Sequence, residues 1–152
     1  MRDRHSNDRN VPIRAWLTFS TLAFILHFAW EMGQMPAYRE MARRPWQASV
    51  PRCARAALLD MALSVLVVAP FGLALGRRPR SRVMWLGMAA TATAVAIVIE
   101  RIGLSRGRWS YGGAMPVLPG LGVAVLPILQ LGVITPVAAR LTLREKSPLS
   151  VR

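Results

Sequence analysis

Val83–Glu100 reads VMWLGMAATATAVAIVIE, with Thr91 and Thr93 as its only polar side chains before the terminal Glu100. A helix rising about 1.5 Å per residue needs about 20 such residues to cross a hydrocarbon core of about 30 Å. This stretch therefore reads as a transmembrane helix, and three others take the same form. Ala15–Met35 opens with AWLTFSTLAFILHFAW and is broken by His27 and then Glu31. Ala54–Leu75 carries Asp60 and Pro70, and Met115–Ala139 carries Pro116, Pro119, Pro127 and Pro136. Four prolines would break a helix in water. In a bundle, neighbouring helices can re-satisfy the freed carbonyls, so the fourth span is expected to be kinked, with irregular or re-entrant first turns. The expected fold is all-α: an up-down bundle of four transmembrane helices at about 15–35, 54–75, 83–100 and 115–139. The bundle fills 15–145, between a basic N-terminus (1–14) and a tail (146–152).

Composition supports this reading. Of the 152 residues 53% are hydrophobic, and the mean hydropathy is +0.33. The formal net charge of +13 is concentrated between the apolar runs. Such clusters are where a membrane protein's loops would be, not a stripe on a nucleic-acid-binding domain, so nucleic acid is not an expected partner. Twelve basic residues fall on the side of the termini, including Arg77, Arg78, Arg80 and Arg82, against eight on the other side. The positive-inside rule then puts both termini in the cytoplasm, with the protein in the cell membrane. The basic start ahead of an apolar run resembles a signal peptide, but Trp30, Glu31 and Met32 follow where a cleavage site would stand, so it reads as a retained first helix. Cys53 is the single cysteine, which rules out an internal disulfide and a cysteine-based metal site.

Glu31, Asp60 and Glu100 all fall in the outer half of the expected bundle. In the first span His27, Glu31, Gln34 and Tyr38 follow i, i+4, i+7 and i+11, which is one helical face. A charged side chain at mid-span costs about 2.5 to 3.5 kcal/mol toward lipid. That stripe is expected to face the bundle or a cavity. His27 fits an interhelical hydrogen bond better than metal ligation, because a lone His beside a carboxylate is an incomplete ligand set. Glu31 and Glu100 fit a plain helix end as well as a site, and Asp60 fits a pair with Arg55 or Arg101. Gln130, deep in the fourth span, needs a partner. Trp30, Trp109 and Tyr111 fit interfacial anchors, and Arg108 or Arg101 fits contact with an anionic headgroup.

FAWEMGQMPAY (28–38), then an acid ahead of GRWSY (107–111), then a proline-rich helix running into PILQ (127–130), resembles small membrane proteins of carotenoid biosynthesis with lycopene-cyclase-type domains. Gly107, Trp109 and Tyr111 match the G-x-W-x-Y stretch of those domains, while Trp30 and Glu31 match their acidic, aromatic-flanked stretch loosely. The family's Pro-Glu-Glu feature is missing, since Pro127 is followed by Ile128, Leu129 and Gln130. The resemblance covers about 35 residues and implies an isoprenoid substrate handled by acid chemistry.

Two functions follow as expectations. In one, a lipid or isoprenoid enters a polar pocket from the outer leaflet, with Glu31, Asp60 and Glu100 as candidate acids. Its candidate binding residues are His27, Gln34, Tyr38, Arg108, Trp109, Tyr111 and Gln130. In the other, the chain is a non-enzymatic accessory subunit that docks a membrane protein partner on its polar face. Ion passage is a weaker third, because the inner half carries almost no ionisable residues. No motif implies a cofactor or a metal.

Overall fold

The computed structural model describes residues 11–74 and 81–143. The arginines of the extreme N-terminus, most of the second connection and the C-terminal tail lie outside the described residues. Four helices follow in order: α1 (Ile13–Gln34), α2 (Trp46–Ala74), α3 (Arg82–Ser105) and α4 (Val125–Leu143). Each is long and apolar enough to cross a membrane. They pack as an up-down bundle in which α1 meets α2 and α4, and α3 lies mainly on α4. α2 meets α3 and α4 only sparsely, which leaves a seam between α2 and α3.

Local chemistry sets the helix ends. Pro12 precedes α1 in an extended conformation. Pro36, which lacks an N–H, sits in a single 3-10 turn, Met35–Ala37, that closes α1. Ser81 caps α3, its hydroxyl accepting from the Met84 N–H at 3.2 Å. At the other end of α3, Gly107 takes a φ of 61°. The Arg108 N–H then donates back to the Gly103 carbonyl at 2.9 Å, and the Gly107 N–H to that of Leu104 at 3.0 Å.

Three helices differ from the boundaries expected of the sequence. α2 starts at Trp46, not near Ala54, and takes Pro51 into its second turn. Asp60 therefore lies about four turns into the helix, well below its start. α3 continues past Glu100 to Ser105, so Glu100 sits inside the span and is 5% exposed. α4 starts at Val125, not Met115. The residues before it fold back as a tight loop, with Gly120 (φ 80°) and Gly122 (φ 65°) in the left-handed region. The loop is closed by Leu118 N–H to Val123 O at 2.8 Å and Val125 N–H to Pro116 O at 2.9 Å. Pro127 falls in the first turn of α4, where no N–H partner is lost. Pro136 alone interrupts the helix.

The packing inverts that of a water-soluble bundle. Large apolar side chains point outward, among them Leu59, Leu66, Val83, Leu86 and Leu141. Small residues lie between the helices: Ala23, Ala92, Ala96, Ala138 and Ala139 are all buried. A Cβ on Gly132 would come within 2.5 Å of the Thr93 hydroxyl, so glycine lets α4 approach α3 closely. Lipid tails are as apolar as leucine, so close packing and polar contacts, not apolar burial, hold such helices together. At the end bearing the α1–α2 and α3–α4 connections, the distal end, backbone bonds tie the two connections. Arg39 N–H donates to Ser110 O at 3.1 Å and Gly112 N–H to Ala37 O at 2.8 Å.

Candidate functional site: a polar network beside a lateral cavity

The polar face of α1 points into the bundle, where His27 and Gln34 are buried. Gln130 of α4 is the hub that receives them. Its amide N–H groups donate to Asp60 Oδ2 on α2 at 2.9 Å and to His27 Nδ1 at 3.2 Å. Its carbonyl accepts from Gln34 Nε2 at 2.8 Å. The same Gln34 nitrogen donates to Glu31 Oε1 at 2.8 Å, and the Gln34 carbonyl accepts from the Trp30 indole at 3.1 Å. Both amides are thus saturated, and the carboxylate acceptors set which way each one points.

This orientation assigns the imidazole. Gln130 presents N–H to Nδ1, so the proton belongs on Nε2, which donates to Ser64 Oγ at 3.0 Å. Ser64 in turn bonds to Thr135 Oγ1 at 2.8 Å. Among the described residues no buried side-chain nitrogen or oxygen lacks a partner.

Gln34 and Gln130, bonded to each other, thereby join Glu31 to Asp60. Glu100 forms a second centre on α3. Its Oε2 accepts from the Trp109 indole at 3.3 Å and from the Tyr111 hydroxyl. The Tyr111 oxygen accepts in turn from the Ala124 N–H at 2.9 Å, which fixes the loop ahead of α4. Trp109 reaches Glu100 because position 103 is glycine: any Cβ there would occupy the indole ring. Burial raises the Tyr111 phenol above its ordinary range, with the Glu100 contact adding to it, so it stays a donor. Tyr38 is raised by burial first, then by the charges of Glu100 and Glu31.

A cavity of about 830 Å³ opens along the α2–α3 seam. Glu31, Asp60, Glu100 and Gln130 line it, together with Tyr38, Trp109 and Arg108. The three candidate acids therefore face one space, and Gln130 links Asp60 to His27 and, through Gln34, to Glu31. Tyr38, beyond the end of α1, still lines that space, its ring 6.1 Å from that of Tyr111.

Some partners differ from expectation. Asp60 pairs with the Gln130 amide, not with Arg55 or Arg101. Arg101 is turned aside, its guanidinium donating to the Leu121 carbonyl at 3.1 Å. Trp30 and Trp109 serve as hydrogen-bond donors within the network. Thr135, Arg52 and Arg55 also belong to the site. Their signal in the sequence was faint, since a threonine in a span and arginines near its start are ordinary features. Among the described residues no three His, Cys, Asp or Glu side chains come together as a metal-binding group. Compared with family models, curated proteins and solved structures, the chain matches none.

Proposed function

We propose that this multi-pass membrane protein admits a lipid or isoprenoid between α2 and α3 and carries out proton transfer on the part that reaches Glu31 and Asp60. The observation that carries the reading is the 830 Å³ cavity, lined largely by apolar side chains but with Glu31, Asp60 and Glu100 in its wall. Pockets for small organic ligands span about 300 to 1,000 Å³ and pair an apolar lining with a few placed polar groups. Two carboxyls joined through a pair of amides and lining one cavity supply an acid and a base when one is protonated and the other is not. Donation from one carboxyl and uptake by another is redox-neutral, as isomerisation or cyclisation of an olefin requires. The resemblance of GRWSY to carotenoid-cyclase sequences points the same way. The arginine excess on the side of the termini supports a cytoplasmic position for both, so that the cavity faces the outer half of the cell membrane.

The competing readings draw less support. An accessory subunit docking through the α1 stripe would need that stripe exposed, whereas His27 and Gln34 are buried and spent on contacts within the chain. A proton path would continue beyond Thr135, but there Phe19, Met88, Ala138 and Leu143 form an apolar core.

The test is mass spectrometry of small molecules that co-purify in native-lipid discs, against empty discs and an Ala62→Trp variant. Ala62 is exposed and lines the cavity, so the indole narrows it at little structural cost. Enrichment of one isoprenoid or lipid with the native chain, lost in the variant, is expected. Equal profiles in all three samples would refute the pocket reading.

A further inference from the structure

Resting on the reading that the cavity takes an apolar chain, we propose that its ligand bears a phosphate head, held at the mouth by Arg52, Arg55 and Arg108. The cavity lining divides along α2. Arg52 and Arg55, three residues apart and so on one helical face, line it toward the helix start. Leu59, Ala62 and Leu66 line it further along. Arg108 joins the lining from the loop after α3.

Among the described residues, these guanidiniums are not matched by the carboxyl groups that share the cavity with them. The acids of the cavity are engaged by other groups: Asp60 by Gln130, Glu31 by Gln34, Glu100 by Trp109 and Tyr111. Glu40, also in the lining, accepts from the Ser110 hydroxyl at 2.5 Å. Arg101, the other arginine near the site, is committed to a backbone carbonyl. Three planar donors around one opening match the several oxygens and multiple charge of a phosphate, which arginine binds in bidentate fashion.

The same geometry says where chemistry falls on the ligand. Asp60 follows Arg55 by five residues and Arg52 by eight, so its backbone lies about 8 to 12 Å further along the helix. The carboxyl pair therefore addresses the hydrocarbon several bonds from the head and not the phosphate ester itself.

Binding of farnesyl phosphate, farnesol and inorganic phosphate to the full chain in phosphatidylcholine discs tests this. Farnesyl phosphate is expected to bind saturably and at least tenfold more tightly than farnesol, with no saturable binding of inorganic phosphate. Arg52→Gln/Arg55→Gln and Arg108→Gln are each expected to remove most of that advantage and leave farnesol unchanged. Arg52→Lys/Arg55→Lys, which keeps the charge, should retain part of it. Ala62→Trp should weaken both prenyl ligands, which mere attraction of anions to a basic surface would not show. Equal affinity for farnesol and farnesyl phosphate overturns the phosphate head while leaving the pocket standing. Saturable inorganic phosphate of equal affinity overturns the lipid assignment. Binding of neither prenyl compound overturns this inference together with the pocket reading.

Discussion

Replacing Gln130 by Leu tests whether the network holds the helices together. The side chain is 2% exposed and makes three interhelical hydrogen bonds, to His27, Asp60 and Gln34. Leucine is close in volume, so little cavity forms and the effect reports the polar contacts. At about 0.6 kcal/mol per interhelical bond in a membrane, three losses come to about 2 kcal/mol. The groups left behind are not equal. Gln34 keeps Glu31, and Asp60 borders the cavity. His27 Nδ1 loses its Gln130 partner inside a fully buried site, and a bare buried acceptor costs about 1 to 3 kcal/mol. The expected destabilisation is therefore about 2 to 4 kcal/mol, read from reversible unfolding in mixed micelles of rising dodecyl sulfate content. Leu129→Ala, at the outward-facing neighbour, provides the baseline. Adding His27→Leu to Gln130→Leu should cost less than His27→Leu alone, because the partner has already gone. Gln130→Leu no more destabilising than Leu129→Ala, with strictly additive effects in the double variant, would refute the network as a stabilising unit.

Other consequences follow from the same contacts. Glu31→Gln and Asp60→Asn should keep binding of whatever the discs enrich but lower its turnover about 100-fold or more, the usual scale of general acid–base catalysis; undiminished turnover would remove the carboxyl pair from the mechanism. Gly103→Ala places a methyl group where the Trp109 indole lies and should cost about 1 to 3 kcal/mol as the ring is displaced from Glu100. Its emission, isolated by difference from Trp109→Phe, should shift to the red, and an unmoved spectrum would contradict the geometry. The Ser110 hydroxyl holds the Glu40 carboxyl below its ordinary range. A depressed carboxylate pKa adds stability that is present at neutral pH and lost as pH falls below about 4. Hydrogen exchange at the Arg39 and Gly112 amides, which tie the two distal connections, should accelerate through that window. Ser110→Ala should abolish the pH dependence.

Much of the site was legible because polar residues are rare in these spans. His27, Glu31 and Gln34 share a helical spacing, and such a stripe is costly against lipid, so its inward direction follows from energetics. Gln130 demanded a partner for the same reason. The register of α4 was not legible in this way. Hydropathy alone does not distinguish Met115–Ala124, an apolar loop rich in Gly and Pro, from helix. Its form depends on backbone bonds such as Val125 to Pro116, and on the Tyr111 hydroxyl that receives the Ala124 N–H.

The sequence by itself determined that this chain crosses a membrane four times as helices, because uncharged runs of such length have no other stable place for their backbone than a helix in lipid. It also determined that the stripe of His27, Glu31 and Gln34 would turn away from lipid, and it left Asp60 and Glu100 open. Only the tertiary structure decided which partner each one met. Asp60 lies opposite Gln130 instead of an arginine, and Glu100 lies beneath Trp109 and Tyr111, because helix rotation and the approach allowed by Gly103 and Gly132 set those neighbours. The seam between α2 and α3, and so the cavity, is equally a product of packing: no one helix encodes a gap between two.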